Sequence, residues 1–477
     1  MNPRSGKAVG KPVLRSGQSA LVGQTLRFRR PTIWSQTKPF GQPTITVGQP
    51  TSRRWFLGSG LAAMLAVGRA PYILTSTALG GQGKPAASER ITIGMIGLGG
   101  HGIGHNLQGF LRQPDAQIVA LCDPDRRRIE EAMKVCRGRL GEQFSCLCTQ
   151  DWREVIARPD VDAVMISTPD HWHVVMSVAA IRAGKDVICE KPTLTIAEGR
   201  LLADTVRRYG AVFQTSTEDR SIPVYIRMAE LVRNGRIGRL QRIRVQLPAG
   251  PAQPGNPEPK PVPEGLDWEM WLGPAPWAPY REGLHMFHWR GKRDYSGGTL
   301  TDWGAHQLDT VQLANDTERT GPVEVEGTGR RHETGLYDVF YEFHLVYRYA
   351  NGVELYVDSG GTGLRFEGTD GWVGNKGWCQ PLEASDPKIL QTPIGPNELH
   401  LEVGPGEHRN FLDCVKTRRD PYFPAEVGHR CSTIAHIGNI AMELGRRLRW
   451  DPVKEEFLDD PMANQMRSRA HREPWTL

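Results

Sequence analysis

Apolar and polar positions follow two different rhythms along this chain. Between residues 89 and 216, short apolar runs alternate with stretches of helical spacing. Ile91–Ile96, Ile118–Cys122, Val161–Ile166, Asp186–Cys189 and Val212–Gln214 read as strands, because they are short, β-branched and bounded by turn residues. The stretches reaching Phe110 and Leu111, Asp125–Arg137, His173–Ala183 and Thr195–Tyr209 read as helices, with Gly184 and Gly210 at two of their ends. Strand and helix alternating at this interval predict an α/β layer with a parallel, doubly wound sheet.

After Ser216 the rhythm changes. A helix (Val224–Asn234) leads to a strand (Leu240–Leu247), and a proline-rich loop runs from Pro248 to Pro279. Then come alternating runs with no helix between them: Val323–Thr328, Val339–Tyr349 and Val353–Asp358. Asn351-Gly352 between the last two is a hairpin turn signal. With late helices at His408–Thr417 and Gly428–Leu448, this predicts an α+β domain with a mostly antiparallel sheet.

Charge changes the picture at one end. The formal net charge is +6, but residues 1–78 hold eleven Lys and Arg and no Asp or Glu, which leaves the rest at −5. A basic folded face, which phosphate backbones require, is therefore not expected, and no nucleic-acid partner is. Ser52-Arg53-Arg54-Trp55-Phe56-Leu57 matches the twin-arginine export pattern. The apolar stretch after it, Leu57–Val67, is short for a bilayer span. Small residues offer cleavage after Ala78 or Ala70. The expectation is export to the periplasm by the twin-arginine machinery, with an uncleaved membrane tether as the alternative. That route carries folded proteins, so a nucleotide cofactor would have to be retained tightly. The eight cysteines lack any Cys-x-x-Cys and are expected as small apolar residues rather than metal ligands.

Three constellations carry chemistry. Gly97-Leu98-Gly99-x-x-Gly102 lies between the first strand and its helix. Gly97 permits a tight turn, Gly99 lets the backbone approach a pyrophosphate, and Gly102 lets helix and strand pack closely. Asp123, at the end of the second strand, is placed to accept ribose hydroxyls, which favours NAD over NADP. Arg126, Arg127 and Arg128 follow it and would suit a 2′-phosphate instead. Glu190-Lys191-Pro192 ends a strand, at the sheet edge where ligands sit, and a lysine there can stabilise a developing alkoxide. Asp302 and His306 are four apart and share a helix face. His306 can take a hydroxyl proton, and Asp302 can orient it or pair with Lys191. Asp309 reads as a structural hydrogen-bonding group, and no metal is expected.

Together with Ser167-Thr168-Pro169-x-x-x-His173, these motifs resemble the Gfo/Idh/MocA family (glucose–fructose oxidoreductase, inositol dehydrogenase and rhizopine catabolism) from about Arg90 to Trp450. The resemblance implies a Rossmann domain at 89–216, an α+β substrate and oligomerisation domain at 217–450, and a tail at 451–477. It implies Lys191, Asp302 and His306 as the catalytic set, with Thr168, Pro169, His173 and Glu190 at the nicotinamide end. It also implies a homo-oligomer packed through the second sheet. The insertion Pro248–Tyr280 departs from the family pattern. Its Trp268, Trp271, Trp277 and Tyr280 would either stack on a sugar or pin the loop to the body. Trp289, Arg290 and Gln214 are expected substrate contacts, and Arg220 a weaker one.

The expected function is an NAD-retaining oxidoreductase acting on a sugar or polyol hydroxyl. Two rivals stand beside it. One is glycoside cleavage through transient oxidation and elimination on the same site. The other is a non-catalytic sugar-binding protein on a Rossmann frame.

Overall fold

The computed structural model describes residues 79–81 and 85–477, so the twin-arginine leader expected over 1–78 lies essentially outside the described residues. Six strands build the first sheet: β1 (Ile91–Ile96), β2 (Ala116–Cys122), β3 (Leu147–Thr149), β4 (Ala163–Ile166), β5 (Asp186–Glu190) and β6 (Phe213–Ser216). They pair in the order β3-β2-β1-β4-β5-β6, every pair parallel. All residues of β4 and β6 are buried, as a parallel sheet covered on both faces requires. The strand order reverses between β1 and β4, and ligands bind at such a switch point, off the carboxyl ends of the strands.

A π-helical turn, Gly102–Leu107, runs into α1 (Gln108–Leu111). The other covering helices are α2 (Arg126–Leu140), α3 (Trp152–Ala157), α4 (Asp170–Arg182) and α5 (Ile196–Tyr209). Their ends follow local chemistry. Asp125 accepts from the Arg127 N–H, Thr195 from the Glu198 N–H, and Gly210 closes α5 in the left-handed region. β3 and α3 were not expected, because a three-residue edge strand and a six-residue helix are too short to display a period.

The chain continues through α6 (Pro223–Arg233), β7 (Leu240–Leu247), α7 (Trp268–Leu272), α8 (Thr299–Asp302), α9 (Gly304–Ala314), β8 (Glu324–Arg330), β9 (Glu342–Arg348) and β10 (Glu354–Ser359). Then follow β11 (Leu364–Gly368), β12 (Trp372–Asn375), β13 (Glu383–Ala384), α10 (Pro387–Gln391), α11 (Glu407–Thr417), α12 (Ala425–Leu444), β14 (Leu448–Asp451), β15 (Glu456–Phe457) and α13 (Pro461–Gln465). The nine strands β7–β15 form one sheet, antiparallel except where β7 meets β10. Along β7, Ile243, Val245 and Leu247 are buried while Arg242, Arg244 and Gln246 are exposed. The inner face packs on α6, α9 and α12.

One boundary differs from expectation. β14 crosses residue 450, and the segment beyond it is built into the body: the Trp475 ring meets Trp172 edge-on at 5.0 Å. α11, late in the chain, packs back on the body: Phe411 and Leu412 share a core with Ile93 of β1 and Phe110 of α1.

The insertion is ordered by its aromatic residues. The Trp268 and Trp271 rings stack at 4.6 Å, and Tyr280 meets Trp268 edge-on at 5.2 Å. All three are buried, while Trp277 is 67% exposed. The buried rings therefore pin the loop, and Trp271 among them also lines the cleft described below. The pinned loop reaches the carboxyl end of β2, where Arg126 N–H donates to the Gly265 carbonyl at 3.1 Å and Asp267 N–H to the Pro124 carbonyl at 2.9 Å.

Candidate functional site

A cleft of about 450 Å³ runs along the switch point from Asp123 and Arg128, past the glycine turn, to Lys191, Glu218 and His306. Each glycine of the turn has a distinct reason. Gly97 sits at φ +89°, and a Cβ there would lie 2.6 Å from the Ser167 backbone. A Cβ at Gly102 would collide with the Gly97 carbonyl oxygen. At Gly99 a Cβ would meet nothing within 4 Å, although the residue lines the cleft. Packing thus demands two of the glycines, and the third leaves open room of the kind a pyrophosphate fills. Leu98 itself is buried, and its N–H donates to Asp123 Oδ2 at 2.7 Å.

Asp123 also accepts from the Asp125 N–H at 2.8 Å, and burial pushes its carboxyl up to about 6. It lines the adenosine end of the cleft with lone pairs left for ribose hydroxyls. The three arginines after it are already engaged: Arg126 with Gln150, Arg127 with Asp125, and Arg128 with Glu131.

At the other end, Thr168 and Pro169 line the cleft where β4 stops. His173 is a brace: its Nδ1 faces the Pro192 carbonyl at 2.7 Å and its Nε2 the Thr168 carbonyl at 2.8 Å. Burial lowers its pKa. Glu190 accepts from Asn106 Nδ2 at 2.9 Å and lies 3.1 Å from His101 Nε2. Burial would raise this carboxyl, but His101, Lys191 and Asn106 outweigh it and hold it well below the usual range.

Lys191 and Asp302 meet across the two halves of the molecule. The Lys191 ammonium lies 2.8 Å from Asp302 Oδ1 and 3.0 Å from the Asp302 carbonyl. Arg290 Nε donates to the other carboxylate oxygen at 3.1 Å. Burial opposes both charges, but the pair prevails: Lys191 is raised and Asp302 is held well below its ordinary value. In this geometry Lys191 is a donor to Asp302, and its neighbours favour its charged form. The Arg290 guanidinium lies 4.2 Å over the Trp289 ring, and both residues line the cleft.

His306, on α9, lines the same end. Its Nδ1 faces Thr217 Oγ1 at 3.1 Å and Asp219 Oδ1 at 3.3 Å, and the Trp378 ring stands edge-on to it at 5.0 Å. Of the two expected partners for Asp302, the structure selects Lys191. His306 is served by Asp219 instead.

Two expected substrate contacts lie elsewhere. Gln214 is fully buried away from the cleft, its amide donating to the Glu407 carbonyl at 2.9 Å. As a residue of β6, it was displaced from the cleft by its position on the sheet face. Arg220 is locked between Asp309 (2.6 and 2.8 Å) and Glu318 (2.6 Å), which also gives Asp309 its structural task.

Sequence reasoning missed Asn106, Thr217, Glu218, Asp219 and Asp170. Thr217–Asp219 had one available signal, since they follow β6 at the carboxyl edge of the sheet. Asp170 is buried behind Asp302, and burial with that neighbour pushes it up to about 8. Its signal was the same one: it follows Thr168-Pro169 beyond the carboxyl end of β4.

A model of an oxidoreductase family's NAD-binding Rossmann fold matches residues 91–217, and one of the same family's C-terminal alpha/beta domain matches 253–477. Levoglucosan dehydrogenase of Pseudarthrobacter phenanthrenivorans is 31% identical over 172 residues, which cover 35% of this chain and 44% of that protein. A glycosyl hydrolase family 109 protein of Solibacter usitatus is 34% identical over 147 residues, 30% of this chain and 33% of that one. The chain thus matches less than half the length of these two curated relatives. The WlbA dehydrogenase of Bordetella pertussis, solved with NADH and UDP-GlcNAcA, aligns at a TM-score of 0.56 and 16% identity over 76% of this chain and 99% of that one. At that identity the likeness is one of fold.

Proposed function

Because the chain belongs to the Gfo/Idh/MocA family of oxidoreductases, we propose that it oxidises a CH–OH carbon of a sugar or polyol with an NAD that it keeps bound. One observation carries the reading: the protonated Lys191 from the sheet edge is bonded to Asp302 from the second half, and His306 lines the same cleft one turn further on.

NAD, when bound, supplies the hydride acceptor. The glycine turn and Asp123 would hold it, and the fit rests on the open face at Gly99. With Arg126, Arg127 and Arg128 each already paired, NAD suits the site better than NADP. Lys191 donates to the substrate oxygen and stabilises the negative charge that grows there. Asp302, tethered by Arg290, keeps that ammonium in place and charged. His306 takes the hydroxyl proton. The insertion tied to β2 closes the adenosine end, which supports retention of the cofactor, the property that an exported protein needs.

The similarity to a glycosyl hydrolase family 109 protein favours a second reading. A ketone formed at one carbon acidifies the neighbouring C–H; loss of that proton expels the substituent one carbon further on, which leaves as the alcohol, water then adds to the resulting enone, and the ketone is reduced again by the hydride held on the nicotinamide. Denaturing the purified protein and identifying the released nucleotide by absorbance and mass tests the first claim; a protein free of nucleotide, and unable to bind added NAD, refutes it. Screening sugars and glycosides for a lasting change in the reduced-nicotinamide absorbance separates the two readings. A persistent signal supports net oxidation, and cleaved glycoside without one supports internal recycling.

A further inference from the structure

The catalytic reading leaves a question of proton placement. A neutral histidine is a base at one ring nitrogen only, and the choice is made by what the other nitrogen bonds to. His306 Nδ1 faces Thr217 Oγ1 and Asp219 Oδ1, while its Nε2 has no hydrogen-bond partner among the described residues.

We propose that Asp219 is a positioning residue that holds the proton on His306 Nδ1, leaving Nε2 as the free base at the cleft.

The reason is satisfaction of a buried charge. Asp219 is 1% exposed. Its Oδ1 has His306 as its side-chain partner, and its Oδ2 has none among the described residues. Burial pushes this carboxyl up to about 6, so it is still an anion at neutral pH and above. With the proton on Nδ1, the anion receives an N–H. With the proton on Nε2, a lone pair would face the carboxylate and a buried anion would go unsatisfied. Thr217 is indifferent, since a hydroxyl donates or accepts. The other charged groups around His306 are Glu218 at 3.9 Å, Asp302 one turn earlier, and Asp309, which is neutralised by Arg220. None of them bonds the ring.

Asp219 follows β6 of the first sheet and His306 stands on α9, 87 residues later, so the base acquires its tautomer only when these distant segments meet. The inference rests on His306 being the proton acceptor, yet its test needs no substrate. Failure of the tautomer is therefore distinct from failure to find oxidation.

The experiment is nitrogen NMR on ¹⁵N-histidine-labelled full-length protein near pH 7.5, with His306→Gln assigning the resonances. The wild type is expected to show His306 protonated at Nδ1. Asp219→Leu, which removes the acceptor opposite Nδ1, is expected to move the two ring-nitrogen signals toward each other as the tautomers mix, and Thr217→Val to leave them in place. A wild-type ring protonated at Nε2 overturns the proposal whether or not any variant folds. So does an Asp219→Leu spectrum identical to wild type. So does a tightly bound divalent cation in the purified protein whose removal by chelator moves the His306 signals, because Nδ1 would then be a metal ligand.

Discussion

Gly99→Ala separates cofactor binding from folding more sharply than any change to a charged residue. A Cβ at Gly99 meets nothing within 4 Å, and the residue is not in the left-handed region. The methyl therefore costs the fold nothing by contact, and restricting the unfolded chain should stabilise it by about 0.4–1 kcal/mol. The same methyl occupies the space assigned to the pyrophosphate. Pushing a ligand off by overpacking costs about 1–3 kcal/mol, or roughly a 5- to 150-fold rise in Kd. Gly97→Ala is the contrast. It carries φ +89° and a 2.6 Å clash with the Ser167 backbone, so it should lower stability as well as nucleotide content. The assay is nucleotide released per chain after denaturation, with thermal unfolding of the same samples. Compared after the nucleotide is stripped, since bound ligand itself raises Tm, Gly99→Ala should match or slightly exceed the wild-type Tm, and as purified it should carry less nucleotide. Wild-type loading and affinity in this variant, or a Tm loss as large as that of Gly97→Ala, refutes the reasoning.

Two further outcomes follow from other parts of the molecule. Trp271 is buried against Trp268 and Tyr295, so Trp271→Ala should cost about 3–5 kcal/mol locally. Read by limited proteolysis within 248–280 and by the dissociation rate of bound nucleotide, it should show faster cleavage and faster release; unchanged release would mean that the insertion does not retain the cofactor. Arg200 bonds both Glu426 and Glu455 at 2.7–2.8 Å. Burial would raise these two carboxyls, but Arg200, with His429 and Arg430, holds both down to about 2. A depressed carboxyl stabilises the fold above its ordinary pKa and ceases to as pH falls through its folded value. Arg200→Met should therefore lose about 1–3 kcal/mol at pH 7, the cost of leaving partly buried carboxylates without their charged hydrogen bonds, and its Tm gap to wild type should narrow between pH 4 and pH 2. A gap independent of pH would refute the ion-pair account.

Much of this protein was written in local pattern. The fully buried strands of the first sheet, the glycine turn and the capping glycine at 210 each follow from a few neighbouring residues. So does the alternation along β7 and β9, because periods of two and 3.6 and the steric freedom of glycine act within one element. Lys191, Asp302 and His306 were legible as candidates for the same reason: each sits at a recognisable place on its own strand or helix. What tertiary structure alone decided was pairing across long stretches of chain. Whether Asp302 served His306 or Lys191 depended on how α8 docks on the end of β5, and both partners were chemically suitable. Gln214 had a suitable side chain but lay on the covered face of its strand. Asp219 had no motif, and it gained a task only when folding buried its charge beside one ring nitrogen. The tryptophans of the insertion could equally have faced a sugar, until burial set them against one another. Local sterics and periodicity are properties of neighbours in sequence. Burial, and the demand that a buried charge find its partner, arise only when distant segments meet.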